Sequence, residues 1–292
     1  HGRGESAGSF RQPGLILELL APGALCTVQD AGRAGFRHLG IPPAGAMDAA
    51  AMRLANRLLD NRPDAPVLEC LAGSRFKVLE PVQVALTGFG HARAWRAAAG
   101  EVIEISPALP GVWHSLALPG GIDAPRWMGS ASICLRAQIG AAAKRGNRFA
   151  ALADPLSAWP RGMDTRIKAR YPSEAEAVEP RPIRLWPGPQ WAQFSTKARK
   201  ALVNQDWRVS QDSDRSGYRL EGAALAVPEG SLASEPVRVG AIQVPPDGQP
   251  IVCLNDGPTV GGYAKIAVID PDDVRRLVQT RPGGTLRFTL AG

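Results

Sequence analysis

Short apolar runs, each ended by glycine, proline or another turn-forming residue, recur along this chain and limit what it can fold into. In the first half they are LILELL (15–20), VLECL (67–71), RFKVL (75–79), VQVALTG (82–88), EVIEIS (101–106) and SLALPGG (115–121). Runs of this length and spacing are typical of strands in a sandwich or barrel. Glycine (32) and proline (26) are both abundant among the 292 residues, and long amphipathic helical patterns are few. The sequence therefore predicts a mainly β protein with a few short helices.

A charged, proline-bearing stretch with little periodicity separates these strands from a second set. The second set comprises IRLWPGP (183–189), YRLEG (218–222), LAVPE (225–229), a hairpin over 242–254 with an Asp247-Gly248 turn signal, and TLRFTL (285–290). We expect two β-rich subdomains, because composition changes of this kind mark domain boundaries. The expected divisions are a flexible tail over 1–14, an N-terminal subdomain over 15–160, a linker over 161–182 and a C-terminal subdomain over 183–292.

Three segments have helical patterns. The clearest is MDAAAMRLANRLLDN (47–61), where Asp48 is placed to cap the helix and one apolar stripe comprises Met52, Ala55, Leu58 and Leu59. Asn56 falls beside that stripe, so it is either a structural hydrogen bonder to a neighbouring loop or a ligand contact. Helical spacing also covers 191–204, and a short helix begins at Asp270-Pro271.

The formal net charge of +7 comes largely from scattered arginines. The chain has neither a zinc-finger spacing nor an aromatic RNA-binding signature, so we expect no nucleic-acid partner. A basic surface can instead serve anionic substrates or an acidic partner protein.

Four cysteines stand far apart without a C-x-x-C pair, which indicates buried free thiols in a reducing compartment and supports neither a disulfide framework nor a metal site. No apolar run approaches the length of a membrane span. We expect a soluble cytoplasmic protein with no membrane partner and no bound metal.

Strong catalytic signatures are missing. The chain lacks a G-x-x-x-x-G-K-[ST] phosphate loop, an H-E-x-x-H motif and a G-x-S-x-G nucleophile elbow, and GFGHAR (88–93) lacks the third glycine of a dinucleotide fingerprint. The sequence therefore assigns no catalytic acid, base or nucleophile, and this chain alone does not look built to hydrolyse ATP.

Polar residues are concentrated in and beside three glycine-rich segments, and they form the candidate substrate-binding set. Carboxamides, carboxylates and a hydroxyl around flexible backbone suit a small amide- or urea-like group, which needs paired donors and acceptors. A solvated loop would use the same residue types. The glycine pair 261–262 further indicates a bulge, a positive φ, or close approach of a ligand or another strand. The candidates are Gln29, Asp30, Arg33, Asp48, Asn56, Asp256, Thr259, Gly261, Gly262, Tyr263 and Lys265.

Several long motifs resemble, in order, those of the biotin-dependent carboxyltransferase-like family, which includes the C subunit of 5-oxoprolinase, allophanate hydrolase subunit 2 and KipA. They include TVQDAGRAGFRHLGIPPAGAMDAAAMRLANRLLDN (27–61), MGSASICLRAQIG (128–140), VGAIQVPPDGQPIV (239–252) and DGPTVGGYAKIAVI (256–269). The resemblance covers nearly the whole chain after about residue 14. It departs at Ala264, where the family commonly has proline, and at Ala131, Ser132 and Ile133, where a basic residue followed by Ser-Thr is usual.

The resemblance implies a cyclophilin-like β-barrel, with a C-terminal β-barrel subdomain over 183–292. It also implies work with a partner that resembles the B subunit of 5-oxoprolinase or allophanate hydrolase subunit 1, together with the A subunit of 5-oxoprolinase. With such partners the family is linked to ATP-dependent opening of 5-oxoproline to glutamate, with ATP used by the complex. Two alternatives stay open. One is a carboxyltransferase module that receives a carboxyl group from carboxybiotin for urea or another amide, and the other is a KipA-like regulatory protein that antagonises a kinase inhibitor.

Overall fold

The computed structural model describes residues 14–156, 181–230 and 232–292. The predicted tail over 1–14 and linker over 161–182 lie almost entirely outside the described residues, so the subdomain boundaries stay predictions.

The first half of the described chain forms two antiparallel sheets packed face to face. A four-stranded sheet has the order β7-β4-β1-β9, and a five-stranded sheet has the order β2-β3-β8-β5-β6. Core side chains from both sheets, such as Leu19 and Phe76 in one and Val84 and Leu116 in the other, form a single apolar cluster. The strands are β1 (Leu15–Pro22), β2 (Cys26–Gln29), β3 (Val67–Cys70), β4 (Ser74–Val78), β5 (Val82–Gly88), β6 (His91–Ala97), β7 (Val102–Glu104), β8 (His114–Ala117) and β9 (Arg148–Ala150).

The second half forms an eight-stranded sheet, in the order β18-β11-β12-β15-β14-β17-β10-β19, and a two-stranded ribbon, β13-β16. The edge strands β18 and β19 are separated in sequence only by Arg287, so the sheet curls until its edges almost meet. The result is a nearly closed barrel filled by its own apolar side chains. The strands are β10 (Ile183–Pro187), β11 (Trp207–Val209), β12 (Gly217–Glu221), β13 (Glu235–Pro236), β14 (Ala241–Val244), β15 (Ile251–Cys253), β16 (Val260–Gly261), β17 (Ala264–Ile269), β18 (Thr285–Leu286) and β19 (Phe288–Leu290).

Helices cover parts of both halves. Helix α1 (Ala49–Leu58) begins after Asp48, whose carboxylate accepts a hydrogen bond from Ala51 N at 2.9 Å. Its apolar stripe packs on the five-stranded sheet, which is therefore buried on both faces along β5. Helix α2 (Thr196–Asn204), helix α3 (Val274–Val278) and 3₁₀ turns at Arg37–Leu39 and Trp191–Gln193 lie in or beside the connections between strands.

Buried polar side chains of the second half hold the first half in place. Gln279 Oε1 accepts hydrogen bonds from the backbone N–H groups of Val112 and Trp113, at 2.7 and 3.0 Å, and its Nε2 donates to Asp48 at 2.8 Å. Arg215 donates to the carbonyl oxygen of Gly45 at 2.7 Å. These buried hydrogen bonds join the two halves, and losing any of them would leave a buried polar group without a partner. They therefore fix the orientation of one half relative to the other.

The mainly β, barrel-forming class predicted from the sequence is confirmed. The helix over 47–61, the hairpin over 242–254 and the first strand are present with slightly different ends. The predicted helix over 191–204 is instead a 3₁₀ turn followed by α2, divided at Ser195, whose hydroxyl caps α2 by accepting from Ala198 N.

Two strand predictions differ more. TLRFTL forms two strands at opposite edges of the barrel sheet, and LAVPE has no strand pairing. Pro228 lacks the N–H that a ladder requires, while Leu225 still packs in the core.

Candidate functional site

A cavity of about 830 Å³ opens between the barrel and the loop that follows β2, and we call it the Lys265 cavity. Strand β17 contributes Lys265, the β13-β16 ribbon contributes Glu235, and the 3₁₀ turn at Arg37–Leu39 contributes Arg37. The remaining lining is mostly apolar, with Val237, Ala241, Val260 and Val268 among its members. An apolar pocket with a few convergent polar groups is the usual form of a small-molecule site.

Lys265 and Glu235 form an ion pair within this cavity. Lys265 Nζ lies 2.6 Å from Glu235 Oε1, and the lysine side chain is almost fully buried while the carboxylate is partly open to solvent. Gln190 fixes the pair, because its Nε2 donates to Glu235 Oε1 at 2.6 Å and its Oε1 accepts from the backbone N–H of Lys265 at 2.9 Å. The Lys265 ammonium group and the Gln190 amide lower the pKa of Glu235, so it is ionised at neutral pH.

Two of the cations that line the cavity, Arg37 and Lys265, have unused N–H groups. Arg37 Nη2 donates to the carbonyl oxygens of Val237 and Pro258, but Nη1 is buried and has no acceptor among the described residues. Lys265 Nζ likewise has no acceptor there beyond its ion pair. Since a buried donor without a partner is costly, these groups indicate a place for an oxygen of a bound molecule.

Glycine 261 is explained by close packing behind the cavity. A Cβ at this position would lie 2.6 Å from Gln243 Nε2 and 3.2 Å from Val237 Cγ2. Neither Gly261 nor Gly262 has a positive φ, so the close approach of the Gln243 and Val237 side chains, rather than a left-handed turn, favours glycine at 261. Cys253, beside Gln243, donates to Gln243 Oε1 at 3.1 Å, and burial raises its pKa to about 11, so its thiol is not a nucleophile at neutral pH.

The cavity can recognise an amide-like group. Donors on Lys265 and Arg37 face the same space as the Glu235 carboxylate, whose contacts with described residues all involve Oε1 and leave Oε2 as an acceptor. An amide or lactam presents the complementary carbonyl oxygen and N–H group. Among the described residues no group of three or more histidine, cysteine, aspartate or glutamate side chains could hold a metal ion.

The residues predicted from the sequence fall in different places. Lys265 and Thr259 line the cavity, and Gly261 lies behind it. Gly262 and Tyr263 are exposed. Gln29, Asp30 and Arg33 lie elsewhere, against residues 130–133 of the first half.

The other three candidates, Asp48, Asn56 and Asp256, hold the scaffold together. Asp48 caps α1 and binds Gln279, and Asn56 donates to Ala65 O at 2.8 Å. Asp256 Oδ2 lies 2.9 Å from Arg215 Nε in a buried ion pair.

Arg215 also pairs with Glu69, which is fully buried and accepts a hydrogen bond from Met47 N at 2.6 Å. Burial raises the pKa of Glu69 to about 7, although Arg215 opposes the shift. The Arg215 guanidinium group therefore forms ion pairs with two buried carboxylates. Together with its hydrogen bond to Gly45 O, these contacts hold β3, the loop before α1 and the segment after β15 in fixed relative positions.

Sequence reasoning missed Arg37, Gln190 and Glu235 as site residues. Arg37 lies within the same glycine-rich segment as Gln29, Asp30 and Arg33, so a local signal was present there. Gln190 lies in PGPQW (187–191), which also resembles the family motifs, whereas Glu235 lies in a segment without a motif. Strand pairing with Gly261 brings Glu235 beside Lys265, and Gln190 N donates to Lys265 O at 3.3 Å.

The mainly β structure with its nearly closed barrel is similar to the structures of carboxyltransferase-domain proteins. The family model described as carboxyltransferase domain, subdomain A and B, matches residues 39–290, and the chain belongs to this family. The resemblance drawn from the sequence motifs is thereby confirmed.

Three relatives illustrate the similarity. The chain is 35% identical over 290 residues to the C subunit of 5-oxoprolinase from Escherichia coli (strain K12), in a match that covers 94% of this chain and 90% of that protein. It matches the crystal structure of TTHA0988 with a TM-score of 0.79 and 35% identity, covering 95% of this chain and 56% of that one. It matches the urea amidolyase of K. lactis with a TM-score of 0.80 and 26% identity, covering 97% of this chain and 19% of that one. This chain thus spans a little over half of the first of these solved chains and a fifth of the second.

No helix among the described residues is long and apolar enough to cross a membrane.

Proposed function

We propose that this chain is the C subunit of a 5-oxoprolinase and that, with partner subunits, it takes part in the ATP-dependent opening of 5-oxoproline to glutamate. The observation that carries this proposal is the Lys265 cavity, where Lys265 and Arg37 have N–H groups that no described residue accepts, beside an ionised carboxylate acceptor. Identity of 35% along 90% of the E. coli protein of that name supports the same function.

The cavity groups match the functional groups of 5-oxoproline. In this proposal, Lys265 and Arg37 donate to oxygens of the substrate, and Glu235 accepts a hydrogen bond from the lactam N–H. The apolar walls exclude water and strengthen these interactions. The chain thus binds and orients the lactam, whereas the nucleotide chemistry comes from the partners, since the sequence holds no phosphate-binding loop.

The proposed partners are subunits of the 5-oxoprolinase A and B types, the latter related to allophanate hydrolase subunit 1, in the cytoplasm. The relatives from Escherichia coli and Haemophilus influenzae are both named as one subunit of 5-oxoprolinase, which supports a multisubunit assembly.

Reconstitution tests the proposal. The chain is mixed with its own organism's A-type and B-type subunits, and 5-oxoproline-dependent ATP hydrolysis and glutamate formation are measured. We expect activity only when all three are present. Full activity of the A-type and B-type subunits without this chain would refute the proposal.

Carboxyl transfer is the second candidate, favoured by the fold match to urea amidolyase over 97% of this chain. Lys265 and Arg37 would then bind the carboxylate of carboxybiotin, which supplies an activated carboxyl group when bound. The carrier would be another protein. Affinity purification of the chain followed by avidin blotting distinguishes the two functions, because only carboxyl transfer requires a co-purifying biotinylated carrier.

A further inference from the structure

A second cavity, of about 330 Å³, lies in the first half of the chain and shares no lining residue with the Lys265 cavity. We call it the Arg33 cavity. Arg33 and Val28 form one side, and the loop from Ala124 to Ala141 forms the other. Nothing in the function proposed above uses it.

Arg33 is the buried cation of this cavity. The residue is 1% exposed, and among the described residues only its Nη2 has an acceptor, the carbonyl oxygen of Ser132. Nε and Nη1 are buried without a partner among the described residues. A buried guanidinium group with two unsatisfied nitrogens is costly unless an acceptor enters the cavity.

The neighbouring carboxylate does not supply that acceptor, because its hydrogen bonds with the described residues all come from other groups. Asp30 accepts hydrogen bonds from Ser130 Oγ, Ser132 Oγ, Ala131 N and Gly32 N, at 2.5 to 2.8 Å. These four bonds lower its pKa in spite of the opposing effect of burial. Asp30 therefore stays ionised and orders the 130–132 segment, and no described residue is a hydrogen-bonded counterion of Arg33.

Charge and shape define what the cavity can hold. Arg126 lies 3.6 Å from Asp30, so Arg33, Arg126 and Asp30 together carry one net positive charge. The other walls include the apolar side chains of Val28, Ile133 and Ile139, and the Trp127 ring centroid lies 5.6 Å from Arg33 Cζ. A single negative charge on a compact apolar body satisfies all of these features, whereas a doubly charged phosphate would leave one charge unpaired.

We propose that the Arg33 cavity is a binding site for a small organic monocarboxylate, with its carboxylate on Arg33 Nε and Nη1 and its apolar part against Ile133, Ile139 and Trp127. The site is independent of the Lys265 cavity, so the proposed function can fail while this proposal holds.

Calorimetric titration of the folded chain tests the proposal with cyclopentanecarboxylate and, as its uncharged isostere, cyclopentanecarboxamide. We expect the carboxylate to bind at least about tenfold more tightly than the carboxamide, because only the carboxylate pairs with the guanidinium charge. Arg33→Gln should weaken carboxylate binding at least about tenfold, and the matched variant Arg208→Gln, at a surface arginine outside both cavities, should leave it unchanged.

Ala141→Trp keeps the test decisive if Arg33→Gln does not fold. Ala141 is exposed at the cavity rim, so the larger side chain can be accommodated while closing the entrance, and carboxylate binding should be lost. Equal affinity for cyclopentanecarboxylate and cyclopentanecarboxamide would overturn the proposal, and so would no binding of the carboxylate to the wild-type chain at about 10 mM. Carboxylate affinity that falls in Arg37→Gln, but not in the Arg33 and Ala141 variants, would also overturn it by locating the binding in the Lys265 cavity.

Discussion

Replacing Arg215 with methionine should destabilise the protein strongly, because one guanidinium group neutralises two buried carboxylates. Arg215 pairs with Asp256 through Nε at 2.9 Å and Nη2 at 3.2 Å, pairs with Glu69 through Nη1, and donates to Gly45 O at 2.7 Å. Methionine keeps much of the volume but leaves both carboxylates buried and unpaired. Breaking a buried ion pair in this way costs about 3–5 kcal/mol.

Urea denaturation at about pH 8 measures this loss, and Arg208→Met is the matched control. Arg208 pairs with Glu221 at 2.6 Å on the surface, where both side chains are largely exposed, so its replacement should cost about 0–1 kcal/mol. A loss in the Arg215 variant below about 1 kcal/mol, or equal to that of the control, would refute the reasoning.

The loss of stability caused by Arg215→Met should also depend on pH. Burial already raises the pKa of Glu69 from 4.5 to about 7, and removal of Arg215 takes away the charge that opposes this shift. In the variant, the folded state therefore binds more protons than the unfolded state above pH 4.5, so its stability falls as the pH rises through this range. The difference between variant and wild type should be larger at about pH 8 than at about pH 6, and a difference of the opposite sign would contradict the assigned burial of Glu69.

Three further predictions concern other buried groups. Gly261→Val should cost about 1–3 kcal/mol, measured by thermal denaturation, because its Cβ would lie 2.6 Å from Gln243 Nε2, and an unchanged midpoint would count against this packing. Burial lowers the pKa of His114 from 6.5 to about 3, so the unfolded state binds more protons between these values and wild-type stability falls as the pH drops below 6.5. His114→Gln should flatten that slope by up to about 1.4 kcal/mol per pH unit in urea denaturation, and identical slopes would show that His114 is not responsible. Cys253, with its pKa raised to about 11, and the other three buried cysteines should resist a thiol reagent at about pH 8 until the protein is denatured, and fast labelling of the native protein would contradict their burial.

Local signals account for much of the predicted fold. The Asp48 cap and the stripe containing Met52 predict α1, because both depend on residues close in sequence. The Asp247-Gly248 turn predicts the hairpin for the same reason, and Gly248 has a φ of 75° in the structure.

Long-range pairing explains what the sequence did not predict. The run over 285–290 looks like one strand, and only closure of the barrel places its two parts at opposite edges of the sheet. Strand β2 is absent from the strands predicted above, because its pairing with β3 depends on contacts about forty residues away. Neither feature has a local signature.

The cavity groups were harder to predict for the same reason. Lys265 follows a recognisable glycine pair, but Arg37, Gln190 and Glu235 come from three separate segments and meet only in the folded chain. Asp256 is the opposite case. It was predicted as a ligand-binding residue because it is an acid in a glycine-rich segment, but its carboxylate pairs with Arg215. Polar residue type and local spacing indicate a group that needs partners, and the fold decides whether those partners belong to the chain or to a ligand.

The most direct test of the proposed function is the activity of the reconstituted complex with Lys265→Met, compared with Lys197→Met on the exposed face of α2. Lys265→Met removes the buried donor of the cavity, so kcat/KM for 5-oxoproline should fall at least about 100-fold while the complex still assembles. Lys197→Met makes the same chemical change at an exposed position and should leave the rate unchanged. An assembled Lys265→Met complex that opens 5-oxoproline at the wild-type rate would contradict the proposed role of this cavity.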